Sequence, residues 1–297
     1  MMSMTDFEIA VTVDDLPRHG ETIVPYKRFT IALGLIRALE KYNLPPVTGF
    51  VNCGTMEKYP EDEEVIKFWV NSGNLLGNHT YHHPDLRKIE PLEFINEIDK
   101  NEVAMSKYFN TANYKIFRYP YLLEGETQEK LTMIRNYLKN NNYTIAHVTI
   151  DFLDFLWNTP VCKYISNRDQ GHFKRLKELY IETAIQKIQS ARDISLRLFG
   201  RNIKHILLIH AGIASMLFFS NVLEICHRMG CKFIDLKSAL MDEAYQIPLN
   251  VISNKGPNFL QQVAQVKNVD LSIYPAVPRE EIARIADIKN TEMMEQY

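Results

Sequence analysis

The chain is poor in cysteine, with only Cys53, Cys162, Cys226 and Cys231 in 297 residues. The spacing of Cys226 and Cys231 excludes a Cys-x-x-Cys motif, and all four lie in apolar stretches, so they read as buried, reduced thiols suited to a cytoplasm. Long hydrophobic runs are also missing. No uninterrupted apolar stretch reaches about 18 residues, which excludes an obvious membrane-spanning helix. Neither sign of charge prevails: 34 Lys and Arg stand against 36 Asp and Glu, for a formal net charge of -2 and a pI near 6.5. That balance provides no basic field for nucleic acid or an anionic membrane, and it favours a small-molecule or neutral glycan substrate. The first residues, Met1 to Asp6, contain neither a positive segment nor an apolar one. No secretory signal is expected from them, and the expected location is cytoplasmic.

At 46% apolar and 24% charged, the composition is that of an ordinary globular protein with one large domain. Strand-like runs recur at Ile9 to Val13, Val47 to Val51, Asn74 to Leu76, Ile116 to Arg118, Thr144 to Thr149, Ile206 to Ile209 and Lys232 to Ile234. Helical periodicity fills the intervals at Phe29 to Tyr42, Glu61 to Ser72, Pro91 to Tyr108, Gln128 to Asn140, His172 to Phe199 and Phe218 to Arg228. Alternation of this kind implies parallel strands with crossover helices, and its length suits an α/β barrel better than an open sheet. Beyond Tyr245 the pattern weakens. Residues 1–245 are therefore expected to form the catalytic barrel, and residues 246–297 an appendage packed on it or partly mobile, ending in a short helix from Arg279 to Lys289.

Polar residues stand where the apolar strands end. They are Asp14 and Asp15, then His79 and His83, then Arg118 to Tyr121, then Asp151 and Asp154, and finally His210. In parallel α/β folds the carboxyl ends of the strands carry the active site. One carboxylate and two histidines make a ligand set for a divalent ion with an open position, and a remaining carboxylate and histidine supply a base and an acid. Adjacent Asp14 and Asp15 would point in opposite directions along a continuing strand, so they are expected to divide these roles. His79 and His83 are four apart with His82 as rival ligand, and Pro84 favours a bend over a helix. Arg118 can pair with a carboxylate, the backbone N–H after Pro120 can stabilise an oxyanion, and Asp151 or Asp154 can partner an imidazole. Together they read as a metal-dependent hydrolase.

Taken in order, these residues resemble the five motifs of the polysaccharide deacetylase family, carbohydrate esterase family four, over about Ile9 to Leu240. The resemblance implies a distorted, incomplete (β/α)7-type barrel of parallel strands. It implies Asp14 as general base, with Asp15, His79 and His83 as metal ligands and His82 as a bystander. It further implies that Arg118 orients the base, that the Tyr121 amide assists the oxyanion, that Asp154 tunes the acid His210, and that Leu208 lines the acetyl pocket. The implied cofactor is one divalent ion, Zn2+ first, with Co2+ or Ni2+ as alternatives. The implied reaction is removal of an N-acetyl or O-acetyl group from a carbohydrate. Leu16 stands where the family usually has glycine, and Phe155 where tryptophan or tyrosine is common, with Trp157 near it and counted among the substrate-binding residues beside Leu208 and Tyr121. The alternatives are an amidohydrolase of a small non-sugar amide and a glycan-binding barrel without catalysis. Nothing in the sequence fixes the oligomeric state.

Overall fold

The computed structural model describes residues 7–108 and 115–286. Seven strands follow one another: β1 (Phe7–Leu16), β2 (Thr48–Val51), β3 (Leu75–Asn78), β4 (Ile116–Phe117), β5 (Thr144–Ile145), β6 (His205–His210) and β7 (Cys231–Phe233). The sheet runs β5-β4-β3-β2-β1-β6, with β7 paired to the first three residues of β1. Every named strand pair is parallel. Strands covered on both faces must be apolar throughout, and β1 accordingly is buried along nearly its whole length.

Helices wrap the outside: α1 (Arg28–Lys41), α2 (Thr55–Lys58), α3 (Glu63–Asn71), α4 (Pro91–Met105), α5 (Gln128–Asn140), α6 (Asn158–Asn167), α7 (Gln170–Phe199), α8 (Ile213–Arg228), α9 (Leu236–Leu240), α10 (Phe259–Val266) and α11 (Arg279–Ala286). In α1 the buried face is Ile31, Ala32, Leu35, Ile36 and Leu39, the spacing of a helical stripe laid on a sheet. Among the described helices none is long and apolar enough to cross a membrane. All four cysteines are buried and unpaired, and burial pushes the Cys53 and Cys226 thiols up to about 12.

The structure departs from the expected element bounds where the barrel closes. The run Thr144 to Thr149 is not one strand: Ala146 still donates to Phe117 O at 2.8 Å, but Thr149 and Ile150 both donate to Ile206 O at 3.0 Å. The chain thus leaves β4 and meets β6 through one short bridge, Ile150 with Leu207, between the two edges of the sheet. The barrel is distorted and incomplete, as the resemblance implied. α6 and α10 were not expected. Helix α10 follows a capping box, in which the Asn258 side chain accepts from Gln261 N at 3.0 Å and the Gln261 side chain accepts from Asn258 N at 2.8 Å.

Residues 246–286 join the main core. Phe259 is 1% exposed and packs on Tyr245 and His147, with ring centroids 4.8 and 5.2 Å away, while Leu260, Val263 and Ile282 are equally buried. Removing a buried phenylalanine ring costs about 3–5 kcal/mol when its surroundings cannot collapse. Phe259→Ala should therefore lower the unfolding free energy by about that amount in a urea titration. A loss below about 0.5 kcal/mol, the surface range, would show that this segment adds nothing to the barrel.

Candidate active site

The residues singled out at the strand ends converge on one cavity of about 230 Å³, lined by Asp14, His79, His83, Tyr121, Asp151, Leu208 and His210 among others. The two aspartates do not alternate. β1 bulges between Val13 and Leu16, and Asp15 takes a left-handed φ of 59°, so both carboxyl groups reach the same imidazole. His79 Nε2 lies 3.4 Å from Asp15 Oδ1 and 3.8 Å from Asp14 Oδ2. Leu16, where the family usually has glycine, turns into the core and is 0% exposed. Gly49 makes room for it, since a Cβ there would sit 2.1 Å from Leu16 Cδ1.

Asp15, His79 and His83 form a compact donor set. His83 Nε2 is also 3.4 Å from Asp15 Oδ1, and that oxygen is buried with no hydrogen-bond partner. A buried carboxylate oxygen is costly without a donor or a cation. Three ligands held tetrahedrally at about 2.0–2.2 Å from one ion lie roughly 3.3–3.5 Å apart, which is the spacing seen from Asp15 Oδ1 to each imidazole. The residues fit a divalent ion. His79 Nδ1 is 2.8 Å from Arg118 O, a carbonyl that only accepts, so this nitrogen carries the proton and Nε2 keeps its lone pair free. Burial lowers the His83 pKa to about 4 against the pull of Asp15, keeping the ring neutral near pH 7, the form that ligates. Burial opposes ionisation of Asp15, but His83, His19 and His79 outweigh it and hold its carboxyl well below the ordinary range.

Asp14 lacks such freedom. Arg118 Nη1 donates to both of its oxygens at 3.0 and 3.2 Å, while Nη2 reaches Thr12 Oγ1 and Nε reaches Ala146 O at 2.7 Å. One nitrogen, not a two-pronged fork, serves the carboxylate, and the arginine is 1% exposed, with Phe50 under its guanidinium at 4.4 Å.

His210 lies opposite Asp14 in register on β6. Of the two candidate partners Asp154 holds it: Oδ1 is 2.7 Å from His210 Nδ1, and Oδ2 accepts from His210 N and from Ser215 Oγ. Burial disfavours the charged ring, yet Asp154 prevails and raises the His210 pKa to about 9. Asp151 instead accepts from Leu153 N at 2.8 Å, and burial raises its pKa.

One residue falls elsewhere than expected. Trp157 does not line the cavity; it is 0% exposed, donates to Leu176 O at 3.1 Å and belongs to the core. Phe155 takes the wall position, its ring 5.5 Å from that of His210 at 82°. His82 is turned outward to Glu97 and Glu57, at 2.8 and 3.5 Å. Tyr121, at φ 56°, places its ring against His83 with centroids 4.5 Å apart.

Sequence reasoning missed His19. It is buried, its Nδ1 lies 2.7 Å from Asp15 Oδ2, and its ring sits 4.5 Å from that of His210. The loop is secured by Arg28, which donates to the carbonyls of His19 and Gly20. The available signal was an imidazole four residues after the candidate ligand Asp15 in a proline-stiffened exit, Leu16-Pro17-Arg18-His19. A second miss was the wall formed by Asn254, Lys255 and Gly256, for which the sequence carried no pattern.

Residues 2–146 match the family model described as polysaccharide deacetylase. The chain is similar to this family over just under half of its length. The match contains Asp14, Asp15, His79, His83, Arg118 and Tyr121, whereas Asp154 and His210 lie beyond it and are brought to the site by the fold. A peptidoglycan-N-acetylglucosamine deacetylase of Bacillus cereus is 30% identical over 168 residues, 56% of this chain and 52% of that protein. The chain thus spans about half the length of this relative. Among solved structures, a polysaccharide deacetylase from Bacillus cereus superposes with a TM-score of 0.52 at 16% identity, over 76% of this chain and 90% of that one. A family 4 carbohydrate esterase from Bacillus subtilis gives 0.51 at 16%, over 80% and 82%. A pseudoenzyme of that esterase family from Bacillus anthracis gives 0.54 at 14%, over 80% and 66%. At these identities the likeness concerns the fold.

If Asp15, His79 and His83 are the ligands, calorimetric titration of the chelated protein should show one equivalent of zinc bound. Asp15→Ala and His83→Ala should abolish that binding, His19→Ala should weaken it about 10–100-fold as loss of an outer partner does, and His82→Ala should leave it unchanged. Equal weakening by His82→Ala and Asp15→Ala would contradict the assignment.

Proposed function

We propose that this chain is a metal-dependent deacetylase that hydrolyses an N-acetyl or O-acetyl group on a carbohydrate, with Asp15, His79 and His83 holding one divalent ion, zinc first. The observation that carries the reading is that one cavity holds, beside the donor set, both a carboxylate anchored by arginine, Asp14, and an imidazole anchored by carboxylate, His210. A pure binding barrel would need neither group. When bound, the ion supplies Lewis-acid polarisation of the acyl carbonyl and makes water acidic enough to react near neutrality.

The chain's own residues perform the proton transfers. Asp14, fixed by Arg118, takes a proton as the water oxygen bonds to the acyl carbon. The amide of Tyr121, a cavity-lining residue with a left-handed φ, is the proposed donor to the developing oxyanion. His210 gives its proton to the leaving nitrogen or oxygen as the bond from the acyl carbon breaks, releasing acetate and the free amine or alcohol. Asp154 keeps His210 charged near pH 7, so the acid is loaded before substrate arrives. Leu208, 4% exposed on the cavity wall, offers apolar surface to the acetyl methyl group.

Acetate release from N-acetylated oligosaccharides and simple acetyl esters by the zinc-loaded protein tests this reading. Asp14→Asn and His210→Ala should each lower kcat by roughly 10² to 10⁴ while zinc still binds. Wild-type rates in either variant would end the proposal. Small linear and cyclic amides belong in the same screen, because turnover of those alone would favour the amidohydrolase alternative. The pH profile supplies an independent check. With its pKa raised, His210 loses its proton, and activity falls, as pH climbs through about 9. Asp154→Asn removes the raising charge, so the alkaline limb should move to lower pH; an unmoved limb would separate His210 from the acid step.

A further inference from the structure

A segment well beyond the family match borders the site. Residues 249–258 cross from the loop after β4 to the end of β5, and they are latched at several points. Arg135 donates to Leu249 O, Ser253 pairs with Gly125 in an antiparallel bridge with an N···O distance of 3.1 Å, and Arg87 Nη1 donates to Asn254 O at 3.1 Å. Phe259 N closes the crossing on Val148 O at 2.8 Å. At Gly256 the backbone presses against Tyr121: φ is +57°, and a Cβ would stand 2.0 Å from Tyr121 O. Asn254, Lys255 and Gly256 are therefore a fixed wall of the cavity that holds Asp14 and His210.

That wall has space on its other side. A neighbouring cavity of about 470 Å³ shares Asp151, Leu153, Lys255 and Gly256 with the active-site cavity and continues toward Lys187 and Tyr274. The site itself, at about 230 Å³, is smaller than the roughly 300–1,000 Å³ of usual ligand pockets, which suits one sugar-sized unit. A unit inside a polymer must leave such a site by two linkages on different sides. A unit at a chain end needs one exit.

Resting on the deacetylase reading, we infer that the strap 249–258 is a specificity element that restricts this enzyme to short acetylated saccharides or to the terminal unit of a chain. The strap does this by standing between the reacting group and the space a longer chain would occupy. Lys255, exposed at the junction of the two cavities, is the side chain that a second unit would meet first.

The experiment is acetate release from a length series of N-acetylglucosamine oligosaccharides, monomer to hexamer, with mass spectrometry to locate each freed amine. The zinc-loaded wild type should deacetylate a terminal unit only, with no gain in kcat/KM beyond the shortest good substrate. Ser253→Pro deletes the N–H that bonds Gly125 O, and Arg87→Ala removes the hold on Asn254 O. Either variant that retains its fold by circular dichroism should raise kcat/KM on the hexamer about tenfold relative to the short substrate and admit interior units. Freed amines distributed along the interior of the hexamer with wild type would overturn the inference while leaving the deacetylase reading intact. Folded, unlatched variants with an unaltered length profile would overturn it as well. No acetate from any oligosaccharide or ester would instead remove the deacetylase reading, and this inference with it.

Discussion

A carboxylate oxygen sealed from water, with no hydrogen-bond donor and two imidazole nitrogens facing it at 3.4 Å, is the constraint around which this site is organised. A buried carboxylate oxygen in that position is costly unless something positive completes it. The neighbouring groups leave an arrangement that fits a cation. Asp15 Oδ2 is tied to His19, His79 Nδ1 to a backbone carbonyl, and the His83 ring is kept neutral by burial. Each partner settles one atom and leaves the next one directed at the shared point.

The same logic applies to the proposed acid–base pair. Asp14 and His210 are register neighbours on β1 and β6, and both line the same cavity. Arg118 holds the carboxylate of one by hydrogen bonds, and Asp154 holds the ring of the other and raises its pKa. Buried pairs of this kind contribute little net stability, because desolvation offsets the attraction. What they provide is a defined state for each group before substrate enters, which is where electrostatic preorganisation acts.

Much of this was legible in the sequence because parallel strands advertise themselves as apolar runs, and a polar residue at the end of such a run is conspicuous. Asp14, Asp15, His79, Arg118 and His210 all carried that signal. The direction of Asp15 did not, since it depends on a bulge and a left-handed φ that period-two alternation cannot anticipate. Trp157 was misplaced for a related reason: proximity in sequence to Phe155 says nothing about which face of a short helical turn meets the cavity. His19 and the strap were hidden more deeply. One acts through another residue, and the other is a low-periodicity segment whose backbone, through Gly256 and Ser253, does the positioning. Barrel closure at Ile150 was likewise invisible, because a single bridge leaves no strand-length pattern.

The most direct test of the central constraint is anomalous diffraction at the zinc absorption edge from crystals grown with zinc. The account predicts one strong peak about 2.0–2.2 Å from Asp15 Oδ1, His79 Nε2 and His83 Nε2 together, with His82 and Asp14 outside the coordination shell. A fully occupied zinc elsewhere, or an Asp15 carboxylate that remains unliganded at saturating metal, would contradict it.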